Sequence, residues 1–266
     1  MRCFHTCPVK KANGKGYYDV PCGKCIACLQ NKRAEWTFRL YQELKVSKSA
    51  RFITLTYDDD NIPEDGKINY DDVNLFLKRL RHFMKEDDLD YRLRYYMVGE
   101  YGTRTQRPHY HGIMFNIPEK TNQKIDKIWK KGHTMSGTVT PASIHYVTGY
   151  TIKSPKNFHL KTRAWMSRKP GIGYRYLEKT KKYHSDGQVF HVTKDDGIKQ
   201  GIPRYFRDKI FDKYERDQYN LKNVKEKVKY ETERFNNLLK SAGNRDDFMQ
   251  QIEEKMKQQS IKKEKL

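Results

Sequence analysis

The chain has 266 residues, with 54 Lys+Arg against 33 Asp+Glu for a formal charge of +21, and 13% aromatic residues that include 19 tyrosines. No stretch reaches the roughly 18 uncharged apolar residues that span a bilayer, and residues 1–5 lack the apolar run of a signal peptide, so neither a membrane-spanning nor a secreted protein is expected. The aromatic content excludes ordinary disorder, and the charge points to a polyanionic partner, most simply nucleic acid.

Residues 221–266 hold 12 Lys+Arg and 8 Asp+Glu, so all but +4 of the charge belongs to residues 1–220. All five cysteines fall near the start of the chain: Cys3, Cys7, Cys22, Cys25 and Cys28, spaced C-x3-C and then C-x2-C-x2-C. That crowding does not suit a disulfide framework spread over a domain. Two clusters of soft ligands joined by a loop suit a tetrahedral Zn²⁺ site, with more thiols than zinc needs and His5 as a further candidate. A set of reduced thiols in the turn Pro21–Cys22–Gly23–Lys24 is the other reading. Under either, the segment clips the N-terminus and is not a reaction centre.

Residues 29–46 read as a helix, with Leu29, Trp36, Leu40 and Leu44 near one face and Lys32, Arg33, Arg39 and Lys45 along it. RFITLTY at 51–57 is a predicted strand, ended by the acidic run 58–60. Asp71 or Asp72 opens a helix whose apolar positions are Val73, Phe76, Leu77, Leu80, Phe83 and Met84. Residues 93–100 and 109–115 are predicted strands, joined as a hairpin by a long turn containing Gly102 and Pro108. A short helix is expected near 121–131, with Ile125, Ile128 and Trp129 on one side, followed by an edge strand at 133–139. Thr140–Pro141 starts another helix, the hydroxyl as N-cap and the proline in the first turn. Beyond Lys153 the pattern is irregular through 163–173. The C-terminal segment is rich in Lys, Glu and Gln, with weak helical spacing at Phe235, Leu238 and Leu239. Strands and helices mixed without strict βαβ alternation imply an α+β domain on an antiparallel sheet.

Two stretches carry chemistry. In Arg107–Pro108–His109–Tyr110–His111, residues i and i+2 of a strand share a face, so His109 and His111 project side by side. Ile113 and Phe115 continue that face, while Tyr110, Gly112 and Met114 lie on the other. Glu100, at the end of the preceding strand, approaches the histidines across the hairpin. Two imidazoles and a carboxylate leave positions open on a metal, as a Lewis-acid site needs. On a helix, Tyr146, Tyr150 and Lys153 fall on one narrow face, with Ile144, Val147, Thr148 and Thr151 opposite. The two phenols can serve as nucleophiles or as packing and base-stacking groups.

The order of these stretches resembles the HUH endonucleases that initiate rolling-circle replication, in the branch with two tyrosines: FITLTY at 52–57, His109-x-His111 within RPHYH, then Tyr146-x3-Tyr150-x2-Lys153. PCGKCIACL at 21–29, GEYGTRTQRPHYHGIMF at 99–115 and MSRKPGIGYRYLEK at 166–179 are similar to the replication initiators of gokushovirus-type microviruses, small single-stranded DNA phages. The resemblance implies a Cys-rich segment and helix over 1–48, an HUH nicking and joining domain over 49–186, and a charged, partly helical extension over 187–266. It implies Mg²⁺ or Mn²⁺ on His109, His111 and Glu100. One tyrosine attacks the DNA to form a 5′-phosphotyrosine and a free 3′-OH, the second makes the later cut, and Lys153 steadies the phosphate. Arg104 and Arg107 are the expected DNA contacts. Phage origin DNA, as single strand or supercoiled replicative form, is the expected partner, with host helicase and DNA polymerase, in the host bacterial cytoplasm and without a membrane. Gly149 departs from a strong helix beside the nucleophile. A non-catalytic origin- or single-strand-binding protein on the same fold is the alternative. A relaxase or transposase of the superfamily is a third reading, which the tyrosine pair and the chain length disfavour.

Overall fold

The β-branched and aromatic runs pair into one antiparallel sheet, and the helical runs pack on its two faces. The computed structural model describes residues 3, 5–10, 14–87, 92–102, 104–150, 163–219, 250 and 254. In chain order the elements are β1 (Cys7–Lys10), β2 (Tyr17–Val20), α1 (Ile26–Leu44), β3 (Ala50–Thr56), α2 (Tyr70–Asp87), β4 (Arg94–Tyr101), β5 (Pro108–Phe115), α3 (Glu119–Asn122), α4 (Ile125–Trp129), β6 (Thr134–Thr138), α5 (Pro141–Gly149), β7 (Arg163–Met166), α6 (Tyr174–Asp186), β8 (His191–Thr193), β9 (Lys199–Gly201) and α7 (Arg204–Ile210). The five-stranded sheet has the order β6-β3-β5-β4-β7, antiparallel at each junction, and β1–β2 and β8–β9 form separate two-stranded ribbons. The chain divides into two compact units, Arg33–Pro203 with the five-stranded sheet, and a second drawn from Met1–Lys32 and Arg204–Leu266. No helix among the described residues is long and apolar enough to cross a membrane.

The alternation expected of β5 is what the fold uses. Tyr110 and Met114 enter a core with Ile53 and Leu55 of β3, Met97 of β4, Val73, Phe76, Leu77, Leu80 and Met84 of α2, and Trp129 of α4. Ile113 and Phe115 enter the opposite core with Tyr96, Val98, Leu40, Ile144 and Val147. Phe83 packs against the first core while remaining partly exposed. Helix α2 begins one residue before the expected aspartates, because Asn69 Oδ1 accepts from the backbone N–H groups of Asp71 (2.9 Å) and Asp72 (3.2 Å). That is N-cap geometry. The Asp72 carboxylate is taken up by the Tyr57 hydroxyl at 2.8 Å and by Lys131 at 3.1 Å. Helix α5 starts as the sequence predicts: Thr140 Oγ1 accepts from Ser143 N, Ser143 Oγ accepts from Thr140 N, and Pro141 is the first helical residue.

Four expectations change. The helix near 121–131 is two short pieces, because Lys124 N turns back to Thr121 O at 3.0 Å and breaks the i−4 ladder. The stretch after 163 is not wholly irregular: β7 pairs Ala164, Trp165 and Met166 with Val98, Met97 and Tyr96. Four residues are too few to show alternation. Helix α6, the β8–β9 ribbon and α7 are also present where the pattern predicts no element. Helix α5 ends at Gly149, with Tyr150 as its C-cap, so the expected helical face does not run on to Lys153. Residues 151–162, with Thr151, Ile152 and Lys153, lie outside the described residues, as do the expected helical positions Phe235, Leu238 and Leu239.

Two local constraints hold the sheet in register. Gly112 faces the fully buried Met97, and a Cβ there would lie 2.6 Å from Met97 Cγ and 3.2 Å from Tyr96 O. Glu43 of α1 and Arg94 of β4 form a buried two-point ion pair, Nε–Oε1 at 2.7 Å and Nη2–Oε2 at 3.1 Å. Gly173 N also donates to Glu43 Oε2 at 2.6 Å, and Arg94 Nη2 donates to Gly171 O at 2.8 Å, so the pair ties the loop before α6 to the sheet. Removing one partner leaves a buried charge uncompensated. Urea unfolding of Glu43→Ala is expected to show a loss of about 3–5 kcal/mol. For Gly112→Ala the expected loss is about 1–3 kcal/mol, from overpacking against Met97; wild-type stability in both variants would refute these assignments.

Candidate active site

The site rests on three adjacent strands. Register places His109 opposite Glu100 and Thr56, and His111 opposite Val98 and Thr54. Between the histidines, Tyr110 is fully buried on the other face, its hydroxyl donating to Asn69 O and accepting from Asn69 N, both at 2.9 Å. The residue that separates the two imidazoles thus pins the strand to the cap of α2.

Glu100 is not a solvated turn residue. Its Oε1 lies 2.8 Å from His109 Nε2 and 3.2 Å from His111 Nε2. Burial pushes the carboxyl pKa up, but hydrogen bonds from His109, His111 and Tyr150 outweigh it and bring it down to about 2. The donor atoms of the three residues lie within 4.8 Å of one another. Nδ1 of His109 faces the Arg107 carbonyl oxygen at 3.2 Å. A carbonyl only accepts, so in the neutral ring Nδ1 carries the proton and Nε2 turns a lone pair towards the carboxylate. Such a meeting of acceptors calls for a cation between them, and imidazole nitrogen with carboxylate oxygen suits a divalent metal. Thr54 Oγ1 sits 2.9 Å from His111 Nδ1 and holds the second ring from behind.

Helix α5 brings the phenols over this group. Tyr150 stacks on His111 with ring centroids 5.5 Å apart and planes at 4°, and Tyr146 meets His111 edge-on at 5.2 Å. The tyrosine rings are 5.0 Å apart, and Phe52 completes the wall at 5.8 Å from His111 and 5.9 Å from Tyr146. The phenols differ in access: Tyr146 is 46% exposed and Tyr150 only 4%. Burial, together with hydrogen bonds to Tyr146 and Glu100, pushes the Tyr150 hydroxyl far above the ordinary tyrosine value, and burial also raises Tyr146. The buried side of α5 is Ile144, Val147 and Thr148, as its sequence predicts. Thr148 Oγ1 lies 3.0 Å from Thr37 Oγ1, and Arg33 Nη2 donates to His145 O at 3.0 Å, fixing the helix on α1. A Cβ at Gly149 would come no closer than 3.6 Å, to Arg33 Nη2, so no neighbour demands glycine there.

The remaining candidates are dispersed. Arg107 is engaged by Asp59 and donates to Tyr57 O at 3.1 Å, while Arg104 is exposed in the β4–β5 turn. Cys3, Cys22, Cys25 and Cys28 come together as a second donor group within 4.8 Å, without Cys7 or His5. There the Cys22 thiol is pushed down to about 6 by the N–H groups of Cys25 and Lys24, and burial pushes Cys28 up to about 12. Sequence reasoning passed over Thr54 and Phe52, although period-2 alternation in RFITLTY places them on one face with Thr56.

The model of the replication-associated protein ORF2 family matches the chain over residues 50–155, which run from β3 past α5 and contain every residue of this site. The chain is 32% identical over 219 residues to replication-associated protein VP4 of Bdellovibrio phage phiMH2K, covering 72% of this chain and 67% of that protein. It is 32% identical over 237 residues to replication-associated protein ORF2 of Spiroplasma virus 4, covering 79% and 72%. Replication-associated protein ORF4 of Chlamydia phage 1 is 27% identical over 256 residues, covering 84% of this chain and 59% of that protein. No solved structure matches the chain. With the matched span falling on the strands and helix that build the site, the chain belongs to the ORF2 family of phage replication-associated proteins.

Proposed function

We propose that this protein initiates rolling-circle replication of a phage genome as an HUH-type endonuclease, nicking one strand of origin DNA and later rejoining its ends. The observation that carries the reading is the seating of an exposed phenol, Tyr146, edge-on to His111 within a Glu100–His109–His111 donor group. In the nicking step the Tyr146 oxygen attacks the scissile phosphorus, the bond from phosphorus to the 3′ oxygen breaks, and that oxygen takes up a proton. The products are a 5′-phosphotyrosine and a 3′-OH. Attack by a 3′-OH on the phosphotyrosine reverses the step and joins DNA without ATP, since the bond energy is retained in the protein link. Mg²⁺ or Mn²⁺ held by Glu100, His109 and His111 would supply charge neutralisation and polarisation of the phosphate.

The order of the tyrosines follows from access. Tyr146 cuts first, and Tyr150, 4% exposed and hydrogen-bonded to Glu100, is held for the second cut. Arg104 and Lys153 contact the DNA backbone, and Arg107 orders the turn through Asp59 while contributing charge beside the strand. The free 3′-OH is a primer for a host DNA polymerase, with a host helicase opening the duplex ahead, which places the reaction in the bacterial cytoplasm.

The test uses purified protein, end-labelled single-stranded origin DNA and Mn²⁺ on a denaturing gel. Label is expected to migrate with wild-type protein and with Tyr150→Phe, to vanish in Tyr146→Phe and with EDTA, and to fall at least about 100-fold in His111→Ala. Binding without any adduct would reduce the protein to an origin-binding module. An adduct in Tyr146→Phe but not in Tyr150→Phe would reverse the order of the tyrosines.

Thr54 supports a ligand from behind, so Thr54→Val is expected to weaken Mn²⁺ activation of adduct formation by about 10–100-fold. The adduct yield at saturating Mn²⁺ stays near wild type. A Mn²⁺ titration of the gel assay reads this directly, and an unchanged midpoint would remove Thr54 from the site.

A further inference from the structure

The hairpin of the N-terminal unit explains which thiols gather. Cys7 pairs with Val20 in the β1–β2 ladder. The antiparallel chain therefore carries residues before 7 past residues after 20, and Cys3 arrives at Cys22, whose N–H donates to Cys3 Sγ at 3.2 Å. Between Cys22 and Cys25, Gly23 has φ +73°, a conformation that side chains resist and glycine accepts freely. The turn aims the N–H groups of Lys24 (3.4 Å) and Cys25 (3.3 Å) at Cys22 Sγ. Cys28 adds a buried thiol from the first turn of α1, where the positive end of the helix favours thiolate.

We propose that Cys3, Cys22, Cys25 and Cys28 hold one Zn²⁺ as a tetrathiolate, with Cys7 excluded. The sulfurs of Cys3 and Cys25 are 3.8 Å apart, and all four lie within 4.8 Å of one another. Zn–S bonds of roughly 2.3 Å in a tetrahedron require sulfurs about 3.8 Å apart. A disulfide needs about 2.05 Å, and an iron–sulfur cluster spreads its thiolates over several irons. Backbone N–H groups directed at sulfur stabilise the thiolate charge that such an ion needs. The zinc closes the open end of the β1–β2 ribbon onto the start of α1, in a part of the chain too small to bury a core of its own. This site is independent of the nicking chemistry.

The test measures metal content of the full-length protein by inductively coupled plasma mass spectrometry, and thiolate ligation by Co²⁺ substitution. One zinc per chain is expected in wild type, in Cys7→Ser and in the His109→Ala/His111→Ala double variant. In Cys3→Ser and Cys28→Ser zinc is expected to fall below about 0.1 per chain. The cobalt form of wild type is expected to show the sulfur-to-cobalt charge-transfer and visible bands of a tetrahedral tetrathiolate. Cys28 is buried and its variant can misfold, so Cys3→Ser, checked by circular dichroism for retained helix content, carries the decision with the wild-type cobalt spectrum. Full zinc in Cys3→Ser, loss of zinc in Cys7→Ser, iron with acid-labile sulfide, or reduced wild type that binds no Co²⁺ would each overturn the proposal. Zinc lost only in the histidine double variant would also overturn it, while leaving the nicking reading to its own gel assay.

Discussion

A β-strand sends successive side chains to opposite faces, and the arrangement around β5 depends on that alternation. His109 and His111 turn to the face that α5 covers, while Tyr110 and Met114 turn into the core under α2. A slip of one residue would exchange the two sets, burying imidazoles among Phe76, Leu80 and Trp129 and exposing an aromatic. Register is therefore a condition of both stability and chemistry. Gly112 and the hydrogen bonds of Tyr110 to Asn69 restrict it from within the strand, and Glu43–Arg94 fixes the neighbouring strand to α1.

The site concentrates charge where the rest of the molecule is apolar. Glu100 is held ionised at the meeting point of two ring nitrogens, with aromatic rings from Phe52, Tyr146 and Tyr150 limiting water around it. Electrostatic interactions are stronger in such surroundings, and groups placed in advance need no rearrangement to act. The surplus of positive charge elsewhere on the chain serves a different purpose, bringing a polyanion to a small, ordered centre.

Much of this was legible in the sequence where a side-chain pattern has one dominant period. The strands at 51–57 and 109–115, the apolar face of α2 and the Thr140–Pro141 start of α5 follow from local rules alone, and the pairing of Glu100 with His109 follows from a hairpin. Less legible were features decided by competition. Asn69 displaces the aspartates as cap because Asp72 is bound to Tyr57 and Lys131. Strand β7 exists because β4 offers it an edge, something no four-residue pattern announces. The different exposure of two tyrosines one turn apart depends on where α5 stops, and the exclusion of Cys7 depends on its place in a ladder.

The position of β5 in the sheet order has a consequence for exchange of the ligands themselves. Its backbone is paired on one side to β3 and on the other to β4 through the whole histidine motif. A doubly paired strand opens only with the cooperative loss of the fold around it, unlike an edge strand or a chain end, which frays cheaply. The imidazoles therefore cannot swing out one at a time to release what they hold. Their lifetime in place is the lifetime of the native state, and the adjustments of a catalytic cycle fall on the single strand of nucleic acid, a far softer polymer than the sheet that receives it.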